Sequence, residues 1–203
     1  MFCNRFILLV LISLSFSVYQ VGDQISAVDQ ARNFDVCYGA EHHGIEMEGG
    51  RYKLGLGHYN GYTNDSGIFY VMMIDMAASW WGPCWNGIGQ MVAIEDWYSE
   101  NPNVVIITNL DDIGQPYSCA QWGDRHLTFN DEVIPLITDD GNQDVLWSWL
   151  NTGSAFPSTA YIDHTMTVYY KANNPSFGPA TSTIDSMLDE CGDLCTLSPP
   201  AAL

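Results

Sequence analysis

The stretch "IFYVMMIDMAASWWGPC", residues 68 to 84, constrains this chain more than any other. From Ile68 to Met76 every residue is β-branched, aromatic or methionine except one acid, Asp75. An apolar run without alternation is what a strand covered on both faces requires. Small residues follow, then Gly82-Pro83, and a proline with its fixed φ suits the first turn of a helix. From Pro83 to Glu100 the positions Ile88, Met91, Val92 and Glu95 recur by threes and fours, which predicts a helix closed by "NPN". Gly87 and Gly89 weaken it by about 1 kcal/mol each against Ala. A fully buried strand leading straight into a helix asks for helices laid on a sheet.

The rest of the chain repeats the theme. "NVVIITNL" (103–110) and "VIPLITDD" (133–140) read as further buried strands. A short helix is predicted in "QPYSCAQWGDRH", starting near Pro116, and another in "NQDVLWSWL", capped by Asn142 or Asp144. "STAYIDH" and "MTVYYKA" form a hairpin turning near His164 and Thr165. "TSTIDSMLDEC" is an amphipathic helix with Ile184, Met187 and Leu188 inward. "RYKLGLGHYNG" supplies one short strand, whereas residues 18–50 show no sustained period and read as an irregular leader. Strands alternating with helices, then a hairpin and a last helix, predict an α/β fold: a three-layer α/β/α sandwich on a mixed central sheet. The domain spans 51–195, with a frayed tail at 196–203.

Residues 1–17 place Arg5 before an apolar run from Phe6, ending in small residues at Ser15 and Ser17. That is the pattern of a secretory signal peptide, too short to span a bilayer, so the expected product is secreted or periplasmic with no membrane insertion. Lys and Arg number 6 against 24 Asp and Glu, a net charge of −18, which excludes nucleic acid and anionic lipid as partners. Beyond the signal lie Cys37, Cys84, Cys119, Cys191 and Cys195. In an oxidising compartment most should pair, and an odd count leaves at least one thiol free or available to another molecule. Cys191 and Cys195 can bridge locally if the helix has ended by Gly192. His42-His43 fits no zinc spacing and "DDGNQD" (139–144) no calcium loop, so neither metal nor cofactor is expected. His126 and His164 read as surface residues, and Leu110 to Asp112 as an acidic loop. Of Trp147 and Trp149, one faces the core.

"MIDMAASWWGPC" resembles the strand-to-helix segment of the thioredoxin superfamily: an acidic residue, small and aromatic residues, then W-C-G-P-C. "FPSTAYIDHTMTVYY" (156–170) resembles its later segment, a cis proline followed by the hairpin. The layout over about residues 52–190 is similar to the redoxin branch, the exported TlpA-like thiol-disulfide oxidoreductases and the peroxiredoxins. The resemblance implies a thioredoxin-like sandwich with Cys84 as the reacting thiol and Asp75 as a proton acceptor. Trp80, Trp81, Gly82 and Pro83 would make the active-site turn, and Phe156, Pro157 and Ser158 the substrate-binding edge. The implied partners are protein thiols or disulfides, or small peroxides, together with an unidentified thiol reductant.

Trp81 departs from this pattern by standing where the first motif cysteine belongs. Exchange needs a thiolate, which a helix N-terminus favours, and an indole cannot attack sulfur. A dithiol cycle within the motif is therefore impossible. Cys84 would act as a lone thiol with a client, or with a distant cysteine such as Cys119, leaving Cys37, Cys191 and Cys195 as further resolving or structural candidates. A one-cysteine antioxidant peroxidase is a variant of this reading, although Trp81 occupies the position of the threonine those enzymes use. Alternatively the site is chemically silent and Trp80, Trp81, Trp85 and Phe156 form a peptide-binding platform. Two other readings remain: a UGA codon for selenocysteine read as Trp, or Cys84 as an inert buried thiol. Asp75 weighs toward redox chemistry, because a buried carboxylate is costly unless paired or used.

Overall fold

Residues 71–78, the heart of the apolar run, form a central strand of an eight-stranded sheet and are buried along their whole length. The computed structural model describes residues 18–111, 113–139 and 141–196. The expected signal at 1–17, Asp112 and the tail from 197 lie outside the described residues. The strands are β1 (Asn33–Tyr38), β2 (Met47–Glu48), β3 (Arg51–Gly55), β4 (Val71–Ala78), β5 (Val104–Asp111), β6 (Leu136–Asp139), β7 (Ser158–Ile162) and β8 (Val168–Asn173). The helices are α1 (Ala27–Gln30), α2 (Gly82–Trp97), α3 (Cys119–Leu127), α4 (Val145–Leu150) and α5 (Phe177–Cys191).

The sheet order is β2-β3-β1-β6-β5-β4-β7-β8. β4, β5 and β6 run parallel, and the strands outside them pair antiparallel, so the sheet is mixed as expected. Alternation along β4 divides the core. Met72, Ile74 and Met76 join a cluster with Leu146, Trp149 and Leu150 of α4, while Met73 packs with Met91 and Ile94 of α2 and Ile184 and Met187 of α5. Ala77 meets Ile88 and Val92 of α2 and Trp122 of α3. Among the described residues no helix is long and apolar enough to cross a membrane.

The leader is not irregular throughout. β1 lies inside the sheet between β3 and β6, with Phe34 and Val36 buried on one side. Asp35 between them is bridged by Lys53 at 2.7 Å and Arg51 at 2.5 Å. Six residues interrupted by an acid give a weak period, and the pairing with β3 and β6 supplies what local pattern lacks. Ahead of β1, Gly22 N donates to Val168 O at 2.8 Å, Val168 N to Asp23 O at 2.9 Å and Ile25 N to Met166 O at 2.9 Å, so residues 22–25 run along the outer side of β8.

Helix starts also differ from expectation. α3 begins at Cys119, not near Pro116, because Ser118 caps it: Ser118 Oγ accepts from Gln121 N while Gln121 Oε1 accepts from Ser118 N. Asp144 occupies the cap of α4 in a left-handed conformation, φ 47°, without a side-chain cap.

Two disulfides close the cysteine accounting: Cys37–Cys119 and Cys191–Cys195, leaving Cys84 as the free cysteine among the described residues. The local bridge is the one the spacing permits. Cys119 is bonded to Cys37 and not to Cys84, and all four of these cysteines are bridged. Gly123 explains why α3 can approach β1 closely enough for the first bridge. A Cβ there would come within 2.3 Å of the Tyr38 ring, a contact no side chain tolerates.

Candidate functional site

Asp75 follows Met73 and precedes Ala77 on the same side of β4, so its carboxyl lies beneath α2. Trp81 is the N-cap of α2, Gly82 and Pro83 open the helix, and Cys84 sits in its first turn. Asp75 and Cys84 line one recess of about 90 Å³, with Pro83, Met91 and Pro157. The Phe156–Pro157 peptide is cis. The structure thus brings Cys84, Asp75 and Pro157 together.

The electrostatics of the thiol run opposite to the sequence expectation. Cys84 is only 4% exposed. Burial, and then the charge of Asp75, push its thiol up to about 12, while backbone groups of Ala78 and Cys84 itself pull it the other way. Desolvation outweighs the helix terminus here, because the sulfur is enclosed before it can benefit from the exposed amides. At neutral pH the group is a thiol.

Asp75 is pushed up to about 6, first by burial and further by the charge of Glu95. The hydroxyl of Thr159, its cross-strand neighbour on β7, donates to Oδ1 at 2.8 Å and opposes this, as does His126 more weakly. A carboxyl that keeps its proton longer when folded leaves stability intact below pH 4 and erodes it as pH rises through 6. Asp75→Asn keeps the acceptor for Thr159. It is therefore expected to match the native chain near pH 3.5 and to exceed it by about 2–3 kcal/mol at pH 8, measured by urea unfolding. An equal offset at both pH values would contradict this origin.

Around the recess mouth the aromatic residues divide into two sets. Trp80 is 48% and Trp81 42% exposed. Trp80 meets Phe156 edge-on at 6.1 Å and Trp81 at 6.0 Å, and Phe156 stacks on Trp147 at 3.8 Å. Trp85, expected in this platform, instead stacks on Tyr117 at 3.7 Å and abuts Trp122 of α3. Ser158, expected to touch substrate, is fully buried and its Oγ accepts from Thr152 N at 2.9 Å. The carbonyl of Pro157 accepts from the Asn173 side chain at 3.0 Å, so it is engaged within the fold.

One buried group escaped the sequence reading. His126 is fully buried, its Nδ1 3.3 Å from Glu95 Oε2, close enough for an ion pair but not aligned for a hydrogen bond. Its place near the end of α3 suggested solvent, yet Cys119, Trp122 and His126 share one helical stripe, and that spacing was the available signal. Glu95 was in view as the one acid on the apolar stripe of α2.

No protein-family model matches the chain, and no curated protein matches its sequence. Solved structures do match. A candidate protein disulfide isomerase from Bacteroides thetaiotaomicron is 16% identical, with 86% of this chain and 93% of that one covered at a TM-score of 0.55. A secreted thiol-disulfide isomerase from Corynebacterium glutamicum is 10% identical over 82% of this chain and 91% of that one, TM-score 0.54. A secreted Mycobacterium tuberculosis disulfide oxidoreductase is 8% identical over 79% and 99%, TM-score 0.52. At such identities the likeness is one of architecture. The cis-proline hairpin, the strand-to-helix turn and the mixed sheet agree with it, and the chain has the thioredoxin fold.

Proposed function

We propose that this chain is an exported polypeptide-binding protein of thioredoxin fold, which holds clients on Trp80, Trp81 and Phe156 and runs no dithiol cycle of its own. One observation carries the reading: a half-exposed indole stands at the cap of α2, where an attacking sulfur would be needed, and the free thiol lies sealed below it. Rigid aromatic side chains at a surface supply contact area at little entropic cost, which suits binding to unfolded segments. Two disulfides are consistent with an oxidising compartment, as is the signal-like first segment. The secreted neighbours of the same fold point the same way.

The test is titration with an unfolded, carboxymethylated polypeptide, followed by tryptophan fluorescence. Saturable binding is expected, weakened about tenfold by Trp81→Ala and by Phe156→Ala. Absence of saturation, or indifference to both substitutions, defeats the proposal. Trp81 makes no side-chain cap bond, so its loss leaves the helix start intact.

A second reading, Cys84 as a working monothiol, draws support from Asp75 in the same recess with a carboxyl near 6. Its signature is alkylation of Cys84 in the folded protein faster than global unfolding permits, with loss of any client oxidation or reduction on Cys84→Ser.

A further inference from the structure

A cavity of about 370 Å³ lies at the far end of α2 from Cys84. It is bounded by the last turns of α2, the start of β5, the loop ahead of β6 and the turn after β1. Its walls are aromatic and acidic. Tyr59 and Tyr70 stand nearly perpendicular, 5.3 Å between ring centres, Tyr98 also borders the cavity, and Glu132 lies at the exposed rim. No Lys or Arg is among the described residues that line it.

Glu95 lines the same cavity and has a side chain only 8% exposed. One of its oxygens faces His126, and neither oxygen makes an aligned hydrogen bond among the described residues. Among the described residues His126 is the one partner within ion-pair distance, and a buried carboxylate without an aligned hydrogen bond gains from further positive charge nearby. His43, also on the wall, gives Nε2 to the Ile134 carbonyl at 2.8 Å, and burial pushes its imidazole below the ordinary value, so it brings no positive charge at neutral pH.

We propose that this cavity binds a small organic cation, a substituted ammonium group with an apolar body. The aromatic walls attract such a cation through their quadrupoles; the carboxylate of Glu95, its oxygens enclosed beside His126, acts across the wall and Glu132 acts at the rim, while the volume falls in the range of small-molecule sites. A bare metal ion fits less well, because the described residues nowhere gather three or more His, Cys, Asp or Glu in ligating reach of one ion. The strongly acidic surface raises the local concentration of any cation and speeds its arrival.

The experiment compares choline with 3,3-dimethylbutan-1-ol, which has the same shape without the charge, by titration calorimetry at about 0.15 M ionic strength to screen the surface. Choline is expected to bind at one site, and the alcohol about tenfold more weakly or not at all. Glu95→Gln is expected to reduce choline affinity about tenfold. Because Glu95 also faces His126, Tyr70→Leu provides a second variant that spares that pair and removes one aromatic wall; it too should weaken choline severalfold. Absence of choline binding, equal affinity for the alcohol, or unchanged affinity in the folded Tyr70→Leu variant each overturns the proposal.

Discussion

Trp81→Cys is expected to give this chain the dithiol cycle that the proposed reading denies it. In the native chain the free thiol is raised to about 12, so at pH 7 only about one molecule in 10⁵ carries a thiolate. A cysteine at the half-exposed cap of α2, with an ordinary value near 8.5, would be a few per cent ionised. The gain of about 3,000-fold in thiolate is offset in part, since the more basic thiolate is the better nucleophile by about 30- to 60-fold over that span. Ionisation alone therefore leaves an advantage on the order of 10², and access to solvent adds to it. The new sulfur would stand one helical turn from Cys84, with Asp75 below to take the second proton. An insulin-reduction assay with dithiothreitol as electron source measures the outcome. A Trp81→Cys chain no faster than the native one would show that the site lacks more than a sulfur atom, and the proposed loss of a dithiol cycle by a single substitution would be wrong.

Opening Cys37–Cys119 is expected to have the largest effect on stability. The bridge joins residues 82 apart, and chain-entropy reasoning assigns such a loop about 4.5 kcal/mol, against about 2 kcal/mol for the four-residue Cys191–Cys195 loop. For a domain of ordinary stability the first figure is about 30% of the total or more. It also matters where the bridge sits. It ties β1, whose sequence pattern is weak, to α3 across the Gly123–Tyr38 contact, so releasing it loosens the element with the least independent reason to stay. Urea unfolding of Cys37→Ala/Cys119→Ala and Cys191→Ala/Cys195→Ala variants compares the two. Equal losses would argue that loop length is not what the first bridge contributes.

The sequence made much of this architecture legible, and its failures share a cause. β4, β5 and α2 were readable because their apolar residues run unbroken along the strands or recur by threes and fours along the helix, and most of those positions are buried. β1 was missed because its six residues hold an acid whose two cationic partners come from β3, information no local window contains. At the site, Asp75, Cys84 and Pro157 could be gathered from the resemblance alone, and the structure places them on one recess. What the residues could not reveal was the balance between the helix terminus and enclosure at Cys84. That balance depends on how deeply the first turn is packed, and it reverses the direction of the thiol shift. His126 and Trp85 were misjudged for a related reason, since each was assigned by its place along the chain and not by the face it presents to a neighbouring helix.

The arrangement of the two outermost strands bears on how the molecule behaves in a crowd of its own kind. β2 offers two residues to a would-be neighbour, and the first part of β8 already spends its backbone groups on residues 22–25. A foreign chain seeking to extend the sheet finds at one margin a template too short to hold it and at the other a track partly taken. A chain with half-exposed tryptophans at one pole thereby gives copies of itself little purchase at the rims, and apolar surface at the pole is not matched by a free edge on which fibres could grow.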